Sequence, residues 1–390
     1  MWVCYKSITF LILLNLVFVM NQIATSAPMG ARSSIAPENS SKVTLGSLGK
    51  EKLERIYKVI GQENNFKEAA QIFDLMSGPW ADYSRDVKWE NSITDDISPF
   101  EFSVVFRGSE TTPIVRFLIE PQEFPLNIQS NWKAGLALKE KLKTLPSVDV
   151  SKLDKILNIF SPPTAQNIES HFSIWYATIL EPNKPLIKVY LNPQIQGEEK
   201  TQELVKKAFS TLNSEYAWKF VSDRVYSSKN PSKILYFSLD LLSGDKARTK
   251  VYMASKSLKD VEAKLQGCLN YVSGSASKWV KTLTNKDVFD KKPIQITYNF
   301  TSEHDRPGPT IHIPVRSYTE NDEKAVERLN DFLSPEQIKT LKAIITAISG
   351  SSLKDEKALT YVSFRPSAEG QLDVYCYIAP CIYNKKESKK

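Results

Sequence analysis

Ile187-Lys188-Val189-Tyr190-Leu191 and Ala247-Arg248-Thr249-Lys250-Val251-Tyr252 decide how the chain is read. Successive side chains on a strand point to opposite faces. Ile187, Val189 and Leu191, with Ala247, Thr249, Val251 and the following Met253, therefore make one apolar face, and Lys188, Tyr190, Arg248, Lys250 and Tyr252 make a basic and phenolic one. A strand of this kind needs something to cover its apolar side. The pattern also recurs, because Tyr190, Tyr252, His312 and Tyr375 are separated by 62, 60 and 63 residues.

Working outward from each of these strands, a second strand precedes it across a turn, and two helical stretches precede the pair. The expected strand pairs are 101–107 with 113–120, 170–180 with 185–192, 232–241 with 246–254, 292–301 with 309–316 and 358–365 with 370–379. The helices show in their period and caps. Ser334, Pro335 and Gln337 form a capping signal before the stripe Ile338, Leu341, Ile344, Ile345 and Ile348, which ends at Gly350. Leu153, Ile156, Leu157 and Phe160 follow Ser151 in the same way, as do Leu48, Leu53, Ile56, Tyr57 and Ile60 earlier. Such one-sided helices must lie against a sheet.

Five α-α-β-β units account for nearly the whole chain. Ten consecutive antiparallel strands remove their edges by closing on themselves. The expected fold is therefore α+β: a single ten-stranded antiparallel β-barrel of five such repeats, with the helices outside and a lumen wide enough for a ligand. Separate α+β domains are the competing layout, and they leave five isolated hairpins with edges to protect.

With the apolar faces outward, the lumen receives Arg116 from the first unit, Lys188 and Tyr190 from the second, and Arg248, Lys250 and Tyr252 from the third. The fourth contributes Thr310, His312 and, if the strand runs that far, Arg316; the fifth contributes Asp373, Tyr375 and Tyr377. Cations in a confined space repel unless an anion sits among them. Arg and Lys are the usual phosphate ligands. Tyrosine faces attract a cation by roughly 0.5–2 kcal/mol each when desolvated. A diphosphate that departs and leaves a carbocation needs both kinds of side chain. His312 is the inward candidate for a base, weighed against a satisfied structural histidine. His171 and His304 read as surface or turn residues.

These strands resemble those of aromatic prenyltransferases of the dimethylallyltryptophan synthase type, whose fold is the five-unit α-α-β-β barrel. The resemblance covers roughly residues 50–380 and rests on Ser98-Pro-Phe-Glu-Phe-Ser103, Pro113-Ile-Val-Arg-Phe117, Ile187 to Leu191, Ala247 to Tyr252 and Pro309-Thr-Ile-His-Ile-Pro-Val315. It implies that Arg116, Lys188, Arg248 and Lys250 bind the diphosphate of an allylic donor. It also implies that Tyr190, Tyr252 and Tyr375, joined by the inward Tyr377, shield the allyl cation, and that Glu101 accepts the indole N–H of the acceptor. The implied reaction is electrophilic aromatic substitution. The chain departs from the pattern at Thr310 and His312, where the family usually has Lys or Gln and then Tyr, one cation and one phenol more.

No metal box is present, since Ile97, Ser98 and Pro99 follow Asp95 and Asp96. The expectation is no metal and no cofactor beyond the prenyl diphosphate co-substrate. Nor is there a Walker loop, a G-x-G-x-x-G motif, a zinc-spaced Cys/His set or a G-x-S-x-G elbow.

The chain has 390 residues, is 42% hydrophobic and 24% charged, and carries a net charge of +7 spread along its length, which suits a globular protein and lacks the dense basic block of a nucleic-acid binder. Lys6, the apolar run from Ile8 to Met20 and the small residues Ala24, Ser26 and Ala27 read as a secretory signal too short to span a bilayer comfortably. The expected organisation is a signal over 1–26, a mobile leader over 27–45, the barrel over 46–384 and a basic tail over 385–390. This places the protein in the secretory pathway with no stable membrane span, whereas the resembled family is typically intracellular. Asn39 and Asn299 lie in glycosylation sequons, and Cys376 and Cys381 are close enough in sequence to pair. The expected partners are a small aromatic acceptor and the donor, with no nucleic acid, in a monomer or homodimer. Two other readings stay open: a secreted barrel that binds an isoprenoid or aromatic anion without turnover, and a prenyltransferase with a phenolic acceptor.

Overall fold

The computed structural model describes residues 43–88, 93–164, 172–181, 184–226, 232–367 and 370–383. The first unit consists of α1 (Leu45–Val59), α2 (Phe66–Ser77), β1 (Phe100–Arg107) and β2 (Ile114–Ile119), and the second of α3 (Ile128–Leu142), α4 (Ser151–Ile156), β3 (Ile174–Ile179) and β4 (Leu186–Leu191). Next come α5 (Thr201–Thr211), α6 (Glu215–Val225), β5 (Ile234–Asp240) and β6 (Thr249–Ser255), then α7 (Leu258–Leu265), α8 (Ser275–Thr284), β7 (Ile294–Phe300) and β8 (Gly308–Ile313). The fifth unit has three helical pieces, α9 (Val315–Tyr318), α10 (Asp322–Glu327) and α11 (Pro335–Ser349), before β9 (Leu359–Pro366) and β10 (Leu372–Ile378). The ten strands close into one antiparallel barrel, each paired with its neighbours in sequence and β1 with β10.

Local chemistry sets the helix ends. Ser334 and Gln337 form a reciprocal capping box on α11, and Gly350 ends that helix with φ 72°. Thr44 and Ser47 cap α1 in the same way. Leu45, expected in the leader, is instead the first residue of α1 and is buried. Thr44, also expected in the leader, caps that helix, whereas residues 27–42 of the leader, the signal, Asn39, His171 and the basic tail lie outside the described residues.

Residues paired across a ladder share a face. The register sets Ser103 opposite both Arg116 and Tyr377, and Val105 opposite Tyr375, on the lumen side. On the outer side Phe102, Val104, Phe117, Val189, Val251, Ile311 and Val374 join one apolar core with the helices. Close approach is built in at Gly135 of α3, where a Cβ would fall 2.2 Å from Ile174 Cγ2. There the Tyr176 hydroxyl donates to the Gly135 carbonyl at 2.9 Å, tying α3 to β3.

Three expectations change. β8 ends at Ile313, before Pro314, so Arg316 lies on α9 and pairs with Asp95 at 3.2 Å instead of extending the strand. Asn299 is part of β7 and donates to the Gly308 carbonyl at 2.8 Å and to Thr310 Oγ1 at 3.2 Å, so its amide belongs to the hairpin and not to a glycosylated loop. Cys376 and Cys381 are both free thiols: Cys376 is buried under the outer core, and Cys381 donates to the Ala379 carbonyl.

Candidate active site

A cavity of about 470 Å³ occupies the lumen. Its wall includes Glu101, Trp175, Tyr190, Tyr236, Tyr252, His312, Tyr361 and Tyr377. On β4 and β6 the tyrosine and the lysine stand two residues apart, so Lys188 and Lys250 lie one inward step, roughly 7 Å, beyond Tyr190 and Tyr252 along the barrel. Arg116 and Tyr377 flank Ser103 one inward step beyond Glu101, in the same direction. The lumen therefore has a basic end, a tyrosine belt and an end that carries Glu101.

At the basic end, Arg116, Lys188 and Lys250 are buried and Arg248 is partly exposed. Asp240, which the sequence reading did not single out, joins them from β5. It accepts from Arg248 Nε at 2.6 Å and from Lys250 Nζ. Burial, then Arg248, pulls the Lys250 amine down to about 7, although Asp240 opposes the shift. Burial, then Arg116, Lys250 and Arg248, holds Lys188 well below the usual lysine range. Arg116 lies over the rings of Tyr375 and Tyr377, 5.1 and 5.8 Å from their centroids, and its Nε and Nη1 have no hydrogen-bond partner. A buried guanidinium with unused donors is costly on its own and well suited to receive an anion.

In the belt, the Tyr190 and Tyr252 rings are 5.8 Å apart with hydroxyls at 3.4 Å, and His312 lies 5.4 Å from Tyr252 and 6.1 Å from Tyr377. His312 meets Thr297 Oγ1 through Nε2 at 2.8 Å and Ser363 Oγ through Nδ1 at 2.6 Å. Burial, then Arg116 and Lys188, lowers its pKa to about 3. The base expected here is thus a neutral imidazole with both nitrogens engaged, and it braces the belt at a position where the resembled pattern has a phenol. Thr310 is buried beside Asn299. His304 is exposed in the connection between β7 and β8.

At the far end, Glu101 is buried and accepts from Thr360 Oγ1 at 2.7 Å. Burial pushes its carboxyl up to about 8, against the pull of that hydrogen bond and of Lys292. Phe172, Trp175 and Tyr236 form an aromatic wall, with Phe172 and Trp175 stacked at 4.0 Å and Trp175 and Tyr236 at 5.5 Å. Gln295 donates to the Tyr361 hydroxyl at 3.1 Å, and Lys292 lies 5.0 Å over the Tyr361 ring. Apart from Glu101, these residues were missed, because each occurs once and no repeat flags it. Asp95 and Asp96 do not act together: Asp95 pairs with Lys292 and Arg316, and Asp96 accepts from Ser98 and from the Ile382 backbone. Among the described residues no group of three or more His, Cys, Asp or Glu side chains is arranged to hold a metal ion.

The family pattern described as tryptophan dimethylallyltransferase matches residues 75–342. The chain belongs to the tryptophan dimethylallyltransferase family. The barrel agrees. The 5-dimethylallyl tryptophan synthase from Streptomyces coelicolor, solved in complex with DMASPP and Trp, is 26% identical with a TM-score of 0.78, covering 88% of this chain and 97% of that one. The 6-dimethylallyltryptophan synthase from Micromonospora olivasterospora is 24% identical with a TM-score of 0.79 over 87% and 98%. PriB in its ternary complex with L-tryptophan and dimethylallyl thiolodiphosphate is 23% identical with a TM-score of 0.78 over 87% and 97%. No curated protein matches the chain in sequence. As a member of the tryptophan dimethylallyltransferases it is a prenyltransferase.

Proposed function

We propose that the protein transfers an allylic group, dimethylallyl first among candidates, from its diphosphate to the indole ring of tryptophan or a tryptophan-like acceptor. The observation that carries this reading is the order along the lumen: four basic side chains, then the tyrosine belt, then a buried carboxyl beside an aromatic wall. As the C1–O bond of the donor breaks, Arg116, Lys188, Arg248 and Lys250 stabilise the charge that develops on diphosphate. Tyr190, Tyr252, Tyr375 and Tyr377 hold their faces toward the allyl cation and keep water from it. Glu101, once ionised, accepts the indole N–H and orients the ring for attack across the belt. Substitution then releases one ring proton, which passes to the departed diphosphate, while both His312 nitrogens are engaged by Thr297 and Ser363.

The test is incubation with tryptophan or indole dipeptides and prenyl diphosphates of different lengths, in EDTA, read by mass spectrometry. Prenylated tryptophan is expected. Folded protein that yields no prenylated product from any pair overturns the reading. Entry into the secretory pathway is proposed on the N-terminal apolar run, and N-terminal sequencing of the mature protein checks it. Among the described residues no helix is long and apolar enough to cross a membrane.

A further inference from the structure

The basic end of the lumen holds a carboxylate that diphosphate binding does not itself require. Asp240 ends β5, lies opposite Lys188 in the ladder and is 8% exposed. One of its oxygens accepts from Arg248 Nε at 2.6 Å and the other from Lys250 Nζ. A fixed anion in a cradle for another anion opposes the ligand by Coulomb repulsion. Its presence calls for a compensating role.

Lys188 on β4, Arg248 just before β6 and Lys250 on β6 all act on its charge. Arg116 on β2 bears on both lysines, and the phenols of Tyr252 and Tyr375 bear on Arg248. Asp240 is the carboxylate that raises the Lys250 pKa. Both of its oxygens are committed to the cations. It therefore acts on the cations rather than on the ligand.

We propose that Asp240 is a positioning residue that holds Arg248 and Lys250 aimed into the lumen, and charged, before the donor arrives. This rests on the reading above that these side chains grip diphosphate. A dry cluster of cations discharges its lysines, since burial and mutual repulsion both favour the neutral amine. An anion entering a cradle of neutral lysines must draw protons from solution, and that cost grows with every pH unit above the lysine pKa. Asp240 limits it: the carboxylate in contact with Lys250 Nζ raises the amine's pKa against burial and Arg248.

The test titrates inorganic diphosphate into the full-length protein by calorimetry at pH 6 and pH 8.5, in buffers of different ionisation enthalpy. Asp240→Asn is expected to bind about tenfold or more weakly than wild type at pH 8.5, with the gap narrowing at least about threefold by pH 6. It should also take up more protons per diphosphate. In a Lys250→Arg background, where the guanidinium stays charged, the pH-dependent part of the loss should shrink. Equal or tighter binding by Asp240→Asn at both pH values overturns the proposal. Asp240→Glu, which keeps the charge, gives a second reading if the amide variant does not fold: proton uptake no greater than wild type is expected, and a larger uptake overturns the proposal. A wild-type protein that binds no diphosphate at either pH refutes the site reading itself, whereas wild-type binding with an indifferent Asp240→Asn refutes only the role of Asp240.

Discussion

The two ends of the lumen meet the same physical problem from opposite sides. At the basic end burial strips charge from amines, and Lys250 falls to about 7. At the acceptor end burial strips charge from an acid, and Glu101 rises to about 8. The remedies differ. The basic end answers with a carboxylate held against Arg248 and Lys250. The acceptor end leaves Glu101 with a hydrogen bond from Thr360 and the more distant Lys292. One end has its charge supported in advance by a fixed carboxylate, while the other becomes charged as pH rises or as an N–H donor enters.

Breaking the basic end should have the largest effect. Arg116→Leu removes the guanidinium with two unused donors, and kcat/KM for the donor should fall about 10²–10³-fold in steady-state assays. At the other end, Glu101→Gln should lower kcat/KM for indole acceptors about 10²-fold and spare any phenolic acceptor. The pH profile sharpens the contrast. Glu101 must lose its proton to accept the indole N–H, so at saturating donor kcat/KM for the acceptor should climb as pH rises through about 8, and this limb should vanish in Glu101→Gln.

The belt between the ends should respond less. Tyr252→Ala should cost about tenfold and raise the share of donor lost to water, while Tyr252→Phe, which keeps the π face, should retain most of the rate. The smallest effect is expected at His312. His312→Gln should stay within about threefold and leave the acid limb in place, because the imidazole is already neutral near pH 7. A loss of about 10²-fold or more in kcat would instead identify His312 as the base.

The barrel was legible because its signal is repeated. Alternation along Lys188-Val189-Tyr190 and Arg248 to Tyr252 fixes an inside and an outside, and five copies leave a closed sheet as the economical arrangement. The inward placement of Arg116, Lys188, Lys250, Tyr190, Tyr252, Tyr375 and Tyr377 follows from the same alternation. Single residues were not legible in this way. Asp240 ends a strand as an ordinary acid would, and only three-dimensional closure sets it against Arg248 and Lys250. Trp175, Tyr236, Tyr361 and Lys292 match no repeated position, so the pattern did not single them out. Arg316 was misplaced because Pro314 ends the strand, and a sequon cannot show that the Asn299 amide is already engaged.

The seam between β1 and β10 has a consequence for how the protein comes into being. Tyr375 and Tyr377 arrive on the last strand, yet they cover Arg116 on the second. The barrel therefore cannot close before β10 has been made, and loss of the β9–β10 hairpin would strip both rings from Arg116 and leave β1 and β8 as open edges.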